Sequence, residues 1–214
     1  MGSEIPKPFI KLSGKTILQR SVECFLDVKG LRQIIVATSK EWIDDCVKIL
    51  ENINASGVDL KVIEGGTERQ YSIQNALDQL DNEIELIAIH DAVRPFVELE
   101  KIEDCFKTAA KFGGAILAVP AKDTIKRIDG ELVIKQTPKR SELWQAQTPQ
   151  VFKTELIKKA YSSAIENNYL GTDDSSLVER IGGAVKVVEG NRKNLKITFP
   201  IDLRVAEYIL EDNH

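Results

Sequence analysis

Asp91 and Arg94 stand three residues apart directly after the apolar run ELIAIH, an acid and a base delivered together at what reads as a strand end. Ligands of open α/β sheets bind at the carboxyl ends of the strands. A carboxylate and a guanidinium placed there could take a metal and a phosphate respectively, or pair with each other to organise the loop. Gly65 and Gly66 follow the run LKVIE and precede Thr67, Glu68, Arg69, Gln70, Tyr71 and Ser72. Two glycines let the backbone approach a ligand, and a helix N-terminus behind them offers unpaired N–H groups suited to a base edge or an anion. A plain tight turn would carry the same residues. Lys196, between Leu195 and Ile197, points away from both on an extended chain, either to solvent or into a cleft. Lys122, Asp123, Thr124 and Lys126 follow AILAVP, and Arg140 and Thr148 lie in the segment KRSELWQAQTPQ. Arg, Lys, Asp and Thr converging from several strand ends suit a phosphorylated substrate. His90 reads as a packed loop residue rather than a catalyst.

Short apolar, β-branched runs alternate with longer stretches of helical period. Strands are predicted at Gln33–Thr38, 60–64, 85–90, 115–120, Val185–Glu189 and 195–198. Over residues 16–26, Ile17, Leu18, Val22, Phe25 and Leu26 fall on one helical face, and over Leu99–Phe112 the same holds for Leu99, Ile102, Cys105, Phe106 and Ala109. Thr67 reads as the N-cap of a helix carrying Ile73, Ala76, Leu77 and Leu80, and Thr172 as the cap of one opening with Asp173 and Asp174. Pro200 suits the first turn of a last helix through Leu210. Such alternation predicts one α/β domain over residues 1–214, with a mostly parallel sheet covered by helices on both faces. Residues 124–138 break the rhythm: two polar, alternating strands flank Asp129-Gly130, a hairpin turn signal. They predict a β-arm projecting from the domain at about 122–142, used for dimerisation or to close over a neighbour's site, or else a plain surface hairpin.

The chain has 214 residues, 43% hydrophobic and 29% charged, which is ordinary for a globular protein, and a formal net charge of −4. That balance argues against a broad nucleic-acid or membrane-binding face. Cys24, Cys46 and Cys105 are far apart and in apolar or helical contexts, as expected of reduced thiols in the cytoplasm. There is no C-x-x-C pair and only His90 and His214 are histidines, so no protein-built metal cluster is expected. The first residues lack the apolar core of a signal peptide, and no run approaches the ~20 apolar residues of a membrane span.

Taken in order, PKPFIKLSGKTIL, GGTERQYS, HDAVRP, KDTIK, RSELWQAQTPQVF, TDDSSLVE and NLKIT followed by Pro200 resemble the 2-C-methyl-D-erythritol 4-phosphate cytidylyltransferases of non-mevalonate isoprenoid synthesis. The resemblance runs over essentially the whole chain. It implies a Rossmann-like, nucleotidyltransferase-type fold. The implied reaction has a substrate phosphate oxygen attack the α-phosphorus of CTP and release pyrophosphate with Mg²⁺, the ion held mainly by the CTP phosphates. By the same resemblance Lys7 holds the triphosphate, while Gly66, Thr67 and Ser72 border the cytosine and Arg69 supports their loop. Asp91 and Arg94 contact the methylerythritol phosphate near the reacting centre, and Thr124, Arg140 and Thr148 help to hold it. Lys196 stabilises charge developing at the α-phosphate. Arg140, at the base of the arm, reaches the other subunit's site in relatives, which implies a homodimer.

The family opens with a strand and a loop of the form A-A-G-x-G-x-R-M-G, of which Met1-Gly2 resembles the tail. The expectation is therefore a sheet with two inner edges left unpaired within these residues. An inactive dimerising relative is the corresponding alternative, and a ribitol-5-phosphate cytidylyltransferase is the alternative within the class. Thr67 stands where some relatives carry Asp, so contact with cytosine is expected from the backbone there.

Overall fold

The computed structural model describes residues 5–81 and 83–212. A small hairpin, β1 (Lys11–Leu12) and β2 (Lys15–Thr16), leads into α1 (Ile17–Glu23), whose first turn is capped by the Thr16 hydroxyl accepting from the Gln19 N–H at 3.1 Å. There follow β3 (Gln33–Thr38), α2 (Ile43–Glu51), β4 (Asp59–Glu64), α3 (Arg69–Leu77), β5 (Leu86–Ile89) and α4 (Leu99–Phe112). Gly113 ends α4 at φ 100°, a backbone angle open to glycine at little cost. The second half is β6 (Gly114–Pro120), β7 (Arg127–Ile128), β8 (Ile134–Gln136), β9 (Trp144–Lys153), α5 (Thr154–Glu166), α6 (Asp174–Arg180), β10 (Val185–Glu189) and α7 (Pro200–Asp212).

A four-stranded sheet has the order β10-β6-β9-β5. β10 runs parallel to β6, while β9 is antiparallel to both β6 and β5, so β9 is the one reversed strand. Helices cover both faces, as expected for strands with no polar alternation. On one side Ile102, Cys105 and Ala109 of α4 pack on Leu117 and Val151; on the other Ile157, Tyr161, Leu177 and Val178 of α5 and α6 pack on Phe152 and Ile116. The cysteines form no disulfide; burial pushes the Cys24 and Cys46 thiols up to about 11 and Cys105 to about 12, consistent with packing groups.

Three local expectations need correction. Residues 195–198 join no ladder: Ile197 donates one bond to the Val93 carbonyl and the chain passes on to α7. Thr67 is not a cap, since α3 starts at Arg69 after Glu68; at α6 the cap is Asp173, whose side chain accepts from the Ser176 N–H. β9 was not expected as a strand at all, because Pro149 and a run of polar residues hide it. A hairpin stands in the arm region: β7 and β8 pair antiparallel, and Asp129 closes the turn by accepting from the N–H groups of Glu131 and Val133. Ile128, Leu132, Val133 and Ile134 are all exposed on it.

β3 and β4 form a separate parallel pair, and no ladder joins β3 to β5 among the described residues. A cavity of about 990 Å³ lies between them, walled by Ile34, Val36, Ile73, Leu86 and Ala88. These are the two unpaired inner edges anticipated from the sequence; Met1 and Gly2 lie outside the described residues.

Candidate active site

At the carboxyl ends of β3 and β5 the cavity wall turns polar, with Arg69, Ser72, His90, Asp91 and Lys196 lining it. Asp91 is the hub. Its Oδ2 pairs with Lys196 Nζ at 3.1 Å and Arg94 Nε at 3.3 Å, and its Oδ1 with Arg69 Nε at 3.3 Å. The cations come from three places: the start of α3, the loop after β5, and the segment before α7. Burial alone would raise the Asp91 carboxyl, but Lys196, Arg69 and Arg94 outweigh it and hold the group below its ordinary range. Burial is also the main influence that lowers Arg94, with the like charge of Arg69 adding to it against the pull of Asp91. Arg94 further donates from Nη1 to the Asn194 carbonyl at 2.8 Å.

Beneath Asp91 lies a chain of neutral hydrogen bonds. The Asp91 N–H donates to Thr148 Oγ1, Thr148 Oγ1 meets His90 Nδ1, and His90 Nε2 meets the Arg94 carbonyl, each at 3.0 Å. The carbonyl can only accept, so Nε2 carries the proton and Nδ1 accepts from the Thr148 hydroxyl. Burial pushes His90 down to about 4. Thr148 reaches this place because β9 is bulged: between the pairs Ile116↔Gln150 and Ala118↔Ala146, β9 spends two more residues than β6. Bulges re-aim side chains, and Pro149, which has no N–H to give a ladder, falls inside this one. Asn194 locks the bulge from below, its Nδ2 donating to the Thr148 carbonyl at 2.9 Å.

The glycine turn is fixed by packing. A Cβ on Gly66 would lie 2.3 Å from Tyr71 Cβ, and the Gly66 N–H donates to Ser72 Oγ at 3.0 Å. Gly66 and Thr67 are exposed at the rim beside Arg69, with Ser72 half-buried and bonded to Gly66. Lys7 sits in a 3-10 turn, Lys7–Phe9, whose Pro8 lines the same cavity and whose Phe9 stacks on Trp42 at 4.8 Å. Thr124 and Arg140 stand apart from the Asp91 cluster. Arg140 donates to the Lys122 carbonyl at 3.2 Å, and no hydrogen bond or ion pair joins either residue to Asp91 among the described residues.

Asn194, Gln147 and Asp174 are all buried and polar, and local sequence pattern marks none of them as part of the site. Asp174 was read as a helix-start charge, and nothing in its local spacing signals a partner 105 residues away.

A mixed α/β sheet with paired cations at its strand ends and a glycine turn beside them defines an α/β nucleotidyltransferase. Comparison with known proteins agrees. Residues 1–212 match the family model for 2-C-methyl-D-erythritol 4-phosphate cytidylyltransferase. The enzyme of that name from Caldanaerobacter subterraneus subsp. tengcongensis is 44% identical over 211 residues, covering 98% of this chain and 92% of the relative. The one from Clostridioides difficile is 43% identical over 212 residues, with coverages of 98% and 88%. Among solved structures, 4-diphosphocytidyl-2C-methyl-D-erythritol synthase from Anaerococcus prevotii superposes with a TM-score of 0.89 at 32% identity, covering 98% of this chain and 92% of that one. The chain belongs to the 2-C-methyl-D-erythritol 4-phosphate cytidylyltransferase family. Neither the ribitol phosphate alternative nor an inactive relative is favoured by these matches.

The His90 geometry sets a pH dependence. Its pKa is lowered on folding from 6.5 to about 4, so the neutral ring stabilises the fold fully above pH 6.5 and that contribution is lost as pH falls toward 4. Global stability should fall by about 2 kcal/mol from this group between about pH 7 and about pH 4.5. His90→Gln should flatten that slope in denaturant titrations; an unchanged slope would refute the buried neutral assignment.

Proposed function

We propose that this site transfers the cytidylyl group of CTP to the phosphate of 2-C-methyl-D-erythritol 4-phosphate, giving 4-diphosphocytidyl-2-C-methyl-D-erythritol and pyrophosphate. The observation that carries the assignment of residues is the Asp91 hub, where three cations converge on one strand end beside a glycine turn. An oxygen of the acceptor's phosphate attacks the α-phosphorus, and the bond from that phosphorus to the bridging oxygen of pyrophosphate breaks. Two polyanions must be brought together, so charge neutralisation and in-line positioning make up most of the task. A phosphate monoester, with a second pKa of about 6, is already a nucleophile at neutral pH and needs no general base. His90 suits this reading, because both its nitrogens are committed and it stays neutral.

In this reading Lys7 meets the triphosphate and Gly66, Thr67 and Ser72 border the cytosine. Asp91 and Arg94 lie near the acceptor phosphate, Thr148 supports them, and Lys196 faces the α-phosphate. Mg²⁺ fits as a companion of CTP. No group of three or more His, Cys, Asp or Glu side chains among the described residues could cage it, and Asp91 is occupied by cations. The triphosphate oxygens would supply its ligands, and the ion would offset their charge.

The exposed apolar arm supports a homodimer, with Thr124 and Arg140 serving the partner's site, which accounts for their distance from the Asp91 cluster. No described helix is long and apolar enough to cross a membrane, and we place the reaction in the cytoplasm.

Pyrophosphate release from CTP and Mg²⁺ is expected with methylerythritol phosphate and not with ribitol 5-phosphate; the reverse would move the assignment to the sister reaction. Lys196→Ala should lower kcat by about 10²- to 10³-fold with the melting temperature nearly unchanged. Wild-type turnover in that variant would remove Lys196 from the reaction. Mixing Arg140→Ala with Lys196→Ala subunits should restore about a quarter of the wild-type rate, since half of a statistical mixture is heterodimer with one intact site. No recovery would place Arg140 at its own subunit's site.

A further inference from the structure

On the side of Asp91 away from Lys196 lies a buried pair that the reaction above leaves unused. Asp174, 1% exposed, opens α6, and Tyr161, also 1% exposed, lies within α5. The Tyr161 hydroxyl donates to Asp174 Oδ1 at 2.5 Å. Arg69 sets Nη1 and Nη2 on the same carboxylate at 3.2 and 2.8 Å, and its remaining nitrogen, Nε, donates to Asp91 Oδ1 at 3.3 Å.

We propose that Tyr161, Asp174 and Arg69 form a strut that positions Asp91, and through it Lys196, for the transfer. This rests on the reading that Asp91 and Lys196 serve that reaction. A guanidinium held bidentately has its plane fixed, and with the plane fixed Nε has one direction in which to point. It points at Oδ1 of Asp91. Oδ2 is thereby left to Lys196 and Arg94, at 3.1 and 3.3 Å. Without the strut Asp91 is held through Oδ2 alone, by Arg94 and Lys196, so its carboxylate is less firmly oriented and the ammonium of Lys196, 47% exposed, has a looser anchor. A lysine could reach one carboxylate but could not span both in this way. Burying an aspartate costs stability unless its oxygens are satisfied, and here Tyr161 and Arg69 satisfy them. The Tyr161 ring packs in the core, and its hydroxyl is committed to the carboxylate.

Steady-state kinetics of the full chain with CTP and methylerythritol phosphate test the strut. Tyr161→Phe should lower kcat about 3- to 10-fold and Asp174→Asn about 10- to 100-fold, with KM for CTP within about twofold of wild type. Arg69→Lys should fail to restore what Arg69→Gln loses. The groups facing Asp91 are Arg69, Arg94 and Lys196, with neutral His90 behind and Asp174 reached through Arg69. A purely structural role predicts a lower melting temperature with kcat per folded enzyme unmoved and Arg69→Lys as active as wild type, and that result overturns the proposal. Asp91→Asn separates the two layers. If Asp91→Asn is impaired while Tyr161→Phe and Arg69→Gln turn over normally, the strut alone fails. If Asp91→Asn itself turns over normally, the role of Asp91 fails and takes the strut with it.

Discussion

Three cations brought to one strand end repel one another, and the fold has to hold them there before any substrate arrives. Asp91 meets that requirement. Its two oxygens divide Arg69 from Arg94 and Lys196, so each cation is kept at a defined place by attraction to a shared anion. The cluster still carries an excess of positive charge, which suits a site for phosphates and would be costly in an apolar core. Most of the surrounding architecture serves that balance. α3 begins where Arg69 can reach Asp91, the loop after β5 turns back so that Arg94 can, and residues 194–198 run alongside so that Lys196 can.

The backbone under Asp91 is held by a reversed, bulged strand. β9 runs antiparallel between β6 and β5, and its extra residues carry Gln147, Thr148 and Pro149 out of the ladder. The side chains released from pairing then make other bonds. Gln147 and Asn194 tie the bulge to the segment carrying Lys196, and Thr148 ties it to Asp91 and His90. An imidazole fixed as the Nε2–H tautomer acts here as a spacer between a hydroxyl and a carbonyl. Charging it would place a donor where Thr148 already donates, so the same network that rigidifies the loop keeps the ring neutral.

Much of this was legible in the sequence. Apolar runs and helical periods place all the parallel strands and α1, α3, α4, α6 and α7, but single out neither α2 nor α5, and the D-G turn places the hairpin. The motifs bring Asp91, Arg94, Thr148 and Lys196 into one site, and the structure joins all four. What the sequence hid follows from physics that local patterns do not carry. β9 reads as a loop because Pro149 and the glutamines belong to a bulge, which looks like a break when the partner strands are unknown. The helix caps shifted by one residue because neighbouring polar side chains compete for the same amides. Asp174 looked like a helix-dipole charge because its partner lies on another helix, and no periodicity links them. Residues 195–198 alternate like a strand but join no ladder among the described residues, where Ile197 donates to the Val93 carbonyl.

The cationic groups of the proposed reaction differ in how firmly they are held, and that difference bears on what each can contribute. Arg69 and Arg94 have fixed partners on two sides, and Lys196 is anchored on Asp91. Groups set in advance stabilise charge as it develops on the α-phosphate without reorganising at that moment, so their energy appears in the transition state. Lys7 and Arg140 stand on short 3-10 turns outside this network. Ordering them costs conformational entropy each time a substrate binds, which fits groups whose energy is used to gather CTP and acceptor. A site arranged in this way binds with its edges and reacts at its centre. The division places the demand for rigidity on Asp91, where burial, the bulge and the strut converge.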